Sequence, residues 1–61
     1  MATYRERAEA LMKEYTYKRS LQIADTMVCA AIGVEDEDGQ VYWESVFEEI
    51  GNIRMEKLSQ A

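Results

Sequence analysis

Sixty-one residues, 48% of them hydrophobic and 31% charged, lie outside the compositional range of disordered chains, yet a chain this short buries only about 60% of its unfolded surface. One cysteine and no histidine exclude an intramolecular disulfide and a zinc set, which leaves association with another chain as the remaining support for a small core. The net charge of −5 is uneven, with five basic against four acidic residues in 1–32 and two against eight in 33–61, so the second half would repel a nucleic-acid backbone and no such partner is expected.

Thr3 opens the first predicted helix, because Glu6 stands three residues on, at the spacing where each side chain satisfies the other's free backbone donor. The chain has no proline to interrupt it. The pattern therefore predicts one long helix over about 4–32, ended by Gly33 as the residue that most easily turns left-handed. Its centre is Leu21 to Ile32, which carries a single charge, Asp25, and is apolar nearly all round. Such a stretch reads as the covered middle of an assembly.

Around this helix the apolar stripe changes sides. Tyr4, Ala8, Leu11, Met12 and Tyr15 share one face, whereas Tyr17, Leu21, Ala24, Val28, Ala31 and Ile32 share nearly the opposite one. Either the helix breaks within Thr16 to Ser20, with Ser20 capping a new one, or a straight helix faces two partners. The straight helix is preferred, since Lys18 and Arg19 favour helix and no glycine marks a break. On that reading Tyr4, Ala8, Leu11, Met12 and Tyr15 form an oligomer interface.

Residues 33–39, GVEDEDG, form an acidic turn short enough to send the next helix back along the first. Asp36, Asp38, Gly39 and Val41 match the third, fifth, sixth and eighth places of a calcium loop, but its first and twelfth places would be Val34 and Ser45. A solvated turn is expected, and no metal or cofactor. From about 40 to 58 the spacing is again helical, with Trp43, Val46, Phe47, Ile50, Ile53 and Leu58 on one face and Glu44, Ser45, Glu48, Glu49, Asn52 and Glu56 on the other. Gly51 sits at the stripe's edge, where a missing side chain would permit close helix approach. The fold expected is thus all-α: a single helical-hairpin domain over 1–61, assembling as a homodimeric four-helix bundle or a higher oligomer.

Asp25 on the apolar side needs a partner, and Arg54 in the second stripe is the natural one, within or between chains; the alternative is that both reach water at a helix edge. Catalysis has little to use, with no histidine, no phosphate loop and no nucleophile beside a base. Cys29, in the apolar centre, reads as inert. The chain is therefore read as a non-enzymatic interaction protein, an adaptor or inhibitor of a size and charge that suit phages and mobile elements. Its acidic second helix, with Tyr42, Trp43, Glu44, Glu48 and Glu49, would meet a basic site on a larger protein. The alternative is an oligomer that sequesters a small anionic ligand such as a nucleotide at Tyr15, Tyr17, Lys18 and Arg19. The charged run from Tyr4 to Glu14 lacks a signal peptide's apolar core, the apolar centre is too short to span a bilayer, and a free thiol suits a reducing compartment, so the expected location is cytoplasmic.

Overall fold

The computed structural model describes residues 3–60, and these form three α-helices: α1 (Tyr4–Glu14), α2 (Tyr17–Gly33) and α3 (Glu37–Ser59). The all-helical expectation holds, but the long helix over 4–32 does not. α1 starts as its capping box requires, with the Thr3 hydroxyl accepting from the Glu6 amide at 3.1 Å and the Glu6 carboxylate accepting from the Thr3 amide at 3.4 Å. It stops at two successive extended residues, Tyr15 (φ −128°, ψ 163°) and Thr16 (φ −68°, ψ 164°). Thr16 then caps α2, its side chain accepting from the Arg19 amide at 3.2 Å.

The physical reason for the break is the swap of the apolar stripe. A straight helix would send the two halves of that stripe in opposite directions, whereas reversing the chain at Tyr15 and Thr16 turns both toward one core. Ser20 is not the cap. It lies one turn inside α2, fully buried, and its hydroxyl has no hydrogen-bond partner.

The end of α2 also differs from expectation. Gly33 is its last residue, Val34 follows at φ −106°, and the left-handed position falls on Glu35, at φ 57°. The Asp36 amide donates to the Ala31 carbonyl at 2.8 Å and the Glu35 amide to the Ile32 carbonyl at 3.1 Å, the paired bonds of a Schellman stop. Asp36 serves both helices, because its carboxylate accepts from the Gly39 amide at 3.1 Å and caps α3. A Cβ at position 39 would run into that same carboxylate and push it away from its capping position. α3 therefore begins at Glu37, three residues before the expected start, and the turn shrinks to Val34–Asp36.

α3 is the central element, a role the sequence suggested for α2. At 23 residues it is about 34 Å long. Both other helices lie along it and touch each other little. Tyr4 meets Tyr42 near the start of α3, ring centroids 5.4 Å apart, while Arg5 reaches Glu49 and Glu56 further along. Tyr17, at the start of α2, lies under Arg54, near the end of α3. The core consists of Ala8, Ala24, Val46, Ile50 and Ile53, with Leu11, Met12, Tyr17, Leu21, Tyr42 and Trp43 packed around it.

This packing corrects several expectations. Ala8 is fully buried within one chain, and Leu11 and Met12, partly buried, pack on the same core, whereas Tyr4 and Tyr15 stay exposed. α2 is covered along one side only, which leaves Cys29 and Ile32 exposed where a buried centre was expected. In α3, Phe47 and Leu58 lie outside the core although they share its stripe. Nothing lies within 4 Å of a Cβ placed on Gly51, so no helix of this chain approaches it closely.

Candidate functional site

The residues expected to meet a partner divide into two groups. Tyr42 and Trp43 are half-buried and built into the fold: Tyr42 stacks edge-on against both Tyr4 and Trp43, the latter at 5.3 Å and 90°. Arg7 closes this group, its guanidinium donating to the Tyr42 hydroxyl at 3.4 Å and lying 6.0 Å from the Trp43 ring centroid. The aromatic set thus holds α1 onto α3. Edge-to-face rings at this spacing contribute about 0.5–1.5 kcal/mol beyond their buried area.

Glu49 is likewise engaged. It is half-buried, and it accepts from Arg5 at 3.4 Å and from the Asn52 amide group at 3.3 Å. Arg5 is the hub of the acidic side of α1, joined to Glu9 at 3.3 Å and to both oxygens of Glu56 at 2.8 Å. The hydrogen bond from Arg5 holds the Glu56 carboxyl below the usual glutamate range, against a smaller opposing effect of burial. Sequence reasoning assigned Glu49 and Glu56 to the solvent face. It missed Arg5 because an arginine on α1 gives no sign of its partner until α1 is known to lie on α3.

Glu44 and Glu48 lie on the solvent face that their spacing predicts. Both are exposed, they stand one turn apart on α3, and among the described residues neither has an ion-pair or hydrogen-bond partner. Glu37 lies two turns before Glu44 on the same strip, and Val41 (57% exposed) and Met55 (64%) interleave with the acids. Residues 37, 41, 44, 48 and 55 repeat at helical spacing, which makes an exposed strip of alternating charge and apolar surface. Periodicity alone identifies its acids, whereas Val41 and Met55 fall outside the apolar stripe and give no signal of their own.

The ligand cluster does not converge. Tyr15 is exposed at the α1–α2 joint, Tyr17 is half-buried with the Arg54 guanidinium 4.7 Å from its ring centroid, and Lys18 and Arg19 point to solvent, Arg19 donating to Gln22 at 3.4 Å. One chain therefore offers no pocket formed by these four residues together. The pairing of Asp25 with Arg54 is also not made within the chain; Asp25 is exposed on α2, and Arg54 stacks on Tyr17 instead. Arg54 lies at the α2 start, two helical turns from Asp25, which is why the two cannot meet.

Among the described residues no group of histidine, cysteine, aspartate and glutamate has the arrangement of a metal site, and no helix is long and apolar enough to cross a membrane. No protein-family model matches the chain, and neither the curated proteins nor the solved structures contain a match to it.

Proposed function

We propose that this protein is a small acidic interaction module, an adaptor or inhibitor without catalytic activity, that presents α3 to a basic site on a larger protein. The observation that carries the reading is the strip Glu37–Val41–Glu44–Glu48–Met55: three exposed carboxylates interleaved with two of the most exposed apolar side chains on the molecule. Of the other acids on α3, Glu49 and Glu56 are paired with Arg5. An amphipathic helix read at i, i+4, i+7 and i+11 is a common way for one protein to occupy the groove of another. Free carboxylates on such a helix steer the encounter and select a basic groove. Tyr42, Trp43 and Glu49 support the strip from beneath and do not form its contact surface.

The same reading includes self-association, because a chain with a single cysteine and, among the described residues, no cluster of metal-ligating side chains has little else to support its thin core. With three helices in each chain, a homodimer brings six helices together rather than four.

The test compares proteins recovered on the immobilised chain with those recovered on two variants. Glu44→Gln with Glu48→Gln should lose a salt-sensitive partner that Lys18→Glu with Arg19→Glu retains. Loss with the second pair and retention with the first would transfer the function to the basic cluster and refute this reading.

A further inference from the structure

Part of the interior is built from small side chains while several large apolar ones stay in water. Ala8, Ala24 and Ser20 sit at 0% exposure in the centre, whereas Phe47 (42%), Ile32 (54%) and Leu58 (57%) remain in water. Burial free energy scales with apolar area, at about 25 cal/mol per Å². Small side chains thus share the interior with Val46, Ile50 and Ile53, while other large apolar ones are left uncovered. Its accessible surface is 4599 Å², where a monomer of 7.1 kDa would have about 4,100 Å². The radius of gyration, 11.7 Å, is likewise above the roughly 10.5 Å expected for a compact chain of this length.

Ile32, Phe47 and Leu58 lie on one seam. Arg54 over Tyr17 identifies the edges along which α3 and α2 meet. Leu21, Val28 and Ile32 follow Tyr17 along its edge of α2 at helical spacing, and Phe47 and Leu58 flank Arg54 along its edge of α3. Gly51 lies between Phe47 and Leu58, half-buried, with open space beyond it.

We infer that a second copy of this chain packs on the α2–α3 seam and covers Ile32, Phe47 and Leu58. The inference rests on the self-association included in the proposed function and locates its interface. Three observations favour a second copy over another occupant. The chain exposes several hundred Å² more than a compact monomer of its mass, surface that association can cover. The seam carries one acid and one base, Asp25 and Arg54, so the charge of the whole chain is absent from the strip itself. The unpaired acids that would draw a basic partner, Glu44 and Glu48, lie beside the seam rather than on it. A two-fold interface needs a patch that suits itself, and a neutral apolar strip does.

Light scattering on a size-exclusion column across a concentration series, with circular dichroism on each variant, tests this. The unmodified chain should elute at about twice its 7.1 kDa mass. Phe47→Glu and Leu58→Glu should each weaken self-association at least tenfold with helical signal retained, while Val34→Glu, at an exposed turn residue, should leave it intact. A monomer at every concentration overturns both the seam and self-association itself. A dimer that survives both seam variants overturns the seam alone. Should the variants lose helix, isotope-filtered NOEs in the unmodified protein decide: contacts from the Phe47 ring to a second copy support the seam, and their absence in a dimer overturns it.

Discussion

Replacing Glu35 by glycine should stabilise this protein. Glu35 holds φ 57° at the stop between α2 and α3, where the Asp36 and Glu35 amides close back on Ala31 and Ile32. A side chain with a Cβ loses about 1–2 kcal/mol in the left-handed region. Glycine avoids that loss but gives back about 0.5–1 kcal/mol through the greater freedom of its unfolded state. Glu35 also places a negative charge at the C-terminal end of a helix dipole and beside Asp36, Glu37 and Asp38, which costs a few tenths of a kcal/mol more. The net expectation for Glu35→Gly is a gain of about 1 kcal/mol. With an unfolding entropy of about 2.1 cal/mol/K per residue, that corresponds to a rise in Tm of about 8 °C. Thermal melts followed by circular dichroism at one fixed protein concentration would measure it, since self-association would otherwise shift the midpoint. Glu35→Gln removes the charge and keeps the Cβ, so it isolates the electrostatic part. If Glu35→Gly gains no more than Glu35→Gln, the left-handed stop is not where the structure puts it.

Two further expectations concern the interior and the acidic side. Ser20→Ala removes a buried hydroxyl that has no partner, a group whose desolvation costs about 1–3 kcal/mol, so chemical denaturation should show unchanged or increased stability. Thr16→Ala, by contrast, removes the α2 cap and should cost about 1 kcal/mol; the opposite ranking would make Ser20 the cap. Arg5 holds the Glu56 carboxyl below its unfolded value, so this pair contributes stability above the ordinary glutamate pKa, and the contribution is lost as pH falls through the lowered one. Stability of the unmodified protein should therefore fall more steeply below about pH 4 than that of Arg5→Gln, and parallel pH curves for the two would contradict the pairing.

How much of the fold is legible in the sequence depends on whether the signal is local. The Thr3–Glu6 capping box is complete within four residues, and it forms as its spacing predicts. The stripe reversal between Tyr15 and Tyr17 is equally visible, but helix propensity at Lys18 and Arg19 argues against a break and cannot outweigh the core. Propensity differences are tenths of a kcal/mol per residue, whereas turning α1 onto the core buries Ala8 fully and Leu11 and Met12 in part. Gly33 draws the expected helix stop toward itself because glycine is the favoured left-handed residue. The chain instead stops two residues later, where Asp36 can both close α2 and cap α3. Of the proposed contact strip, the exposure of Glu44 and Glu48 follows from periodicity alone. That Glu49 and Glu56 are engaged within the chain depends on Arg5, a contact across more than forty residues of sequence that no local pattern carries.

The two proposed surfaces respond oppositely to salt, because the charges lie on one and not on the other. Every chain brings a net charge of −5 to a second copy, and that repulsion acts on the dimer even though the α2–α3 seam is itself neutral. Salt shortens the reach of the repulsion to about 8 Å at physiological strength and leaves the apolar contact of Phe47, Ile32 and Leu58 untouched, so self-association strengthens as salt rises. The strip of Glu37, Glu44 and Glu48 works by attraction to a basic groove, and the same screening weakens it. The seam can therefore be saturated at a salt concentration where the strip has lost most of its hold. A partner that binds well only at low salt, to a protein that is dimeric at high salt, would be held by the acids of α3 and not by the apolar seam.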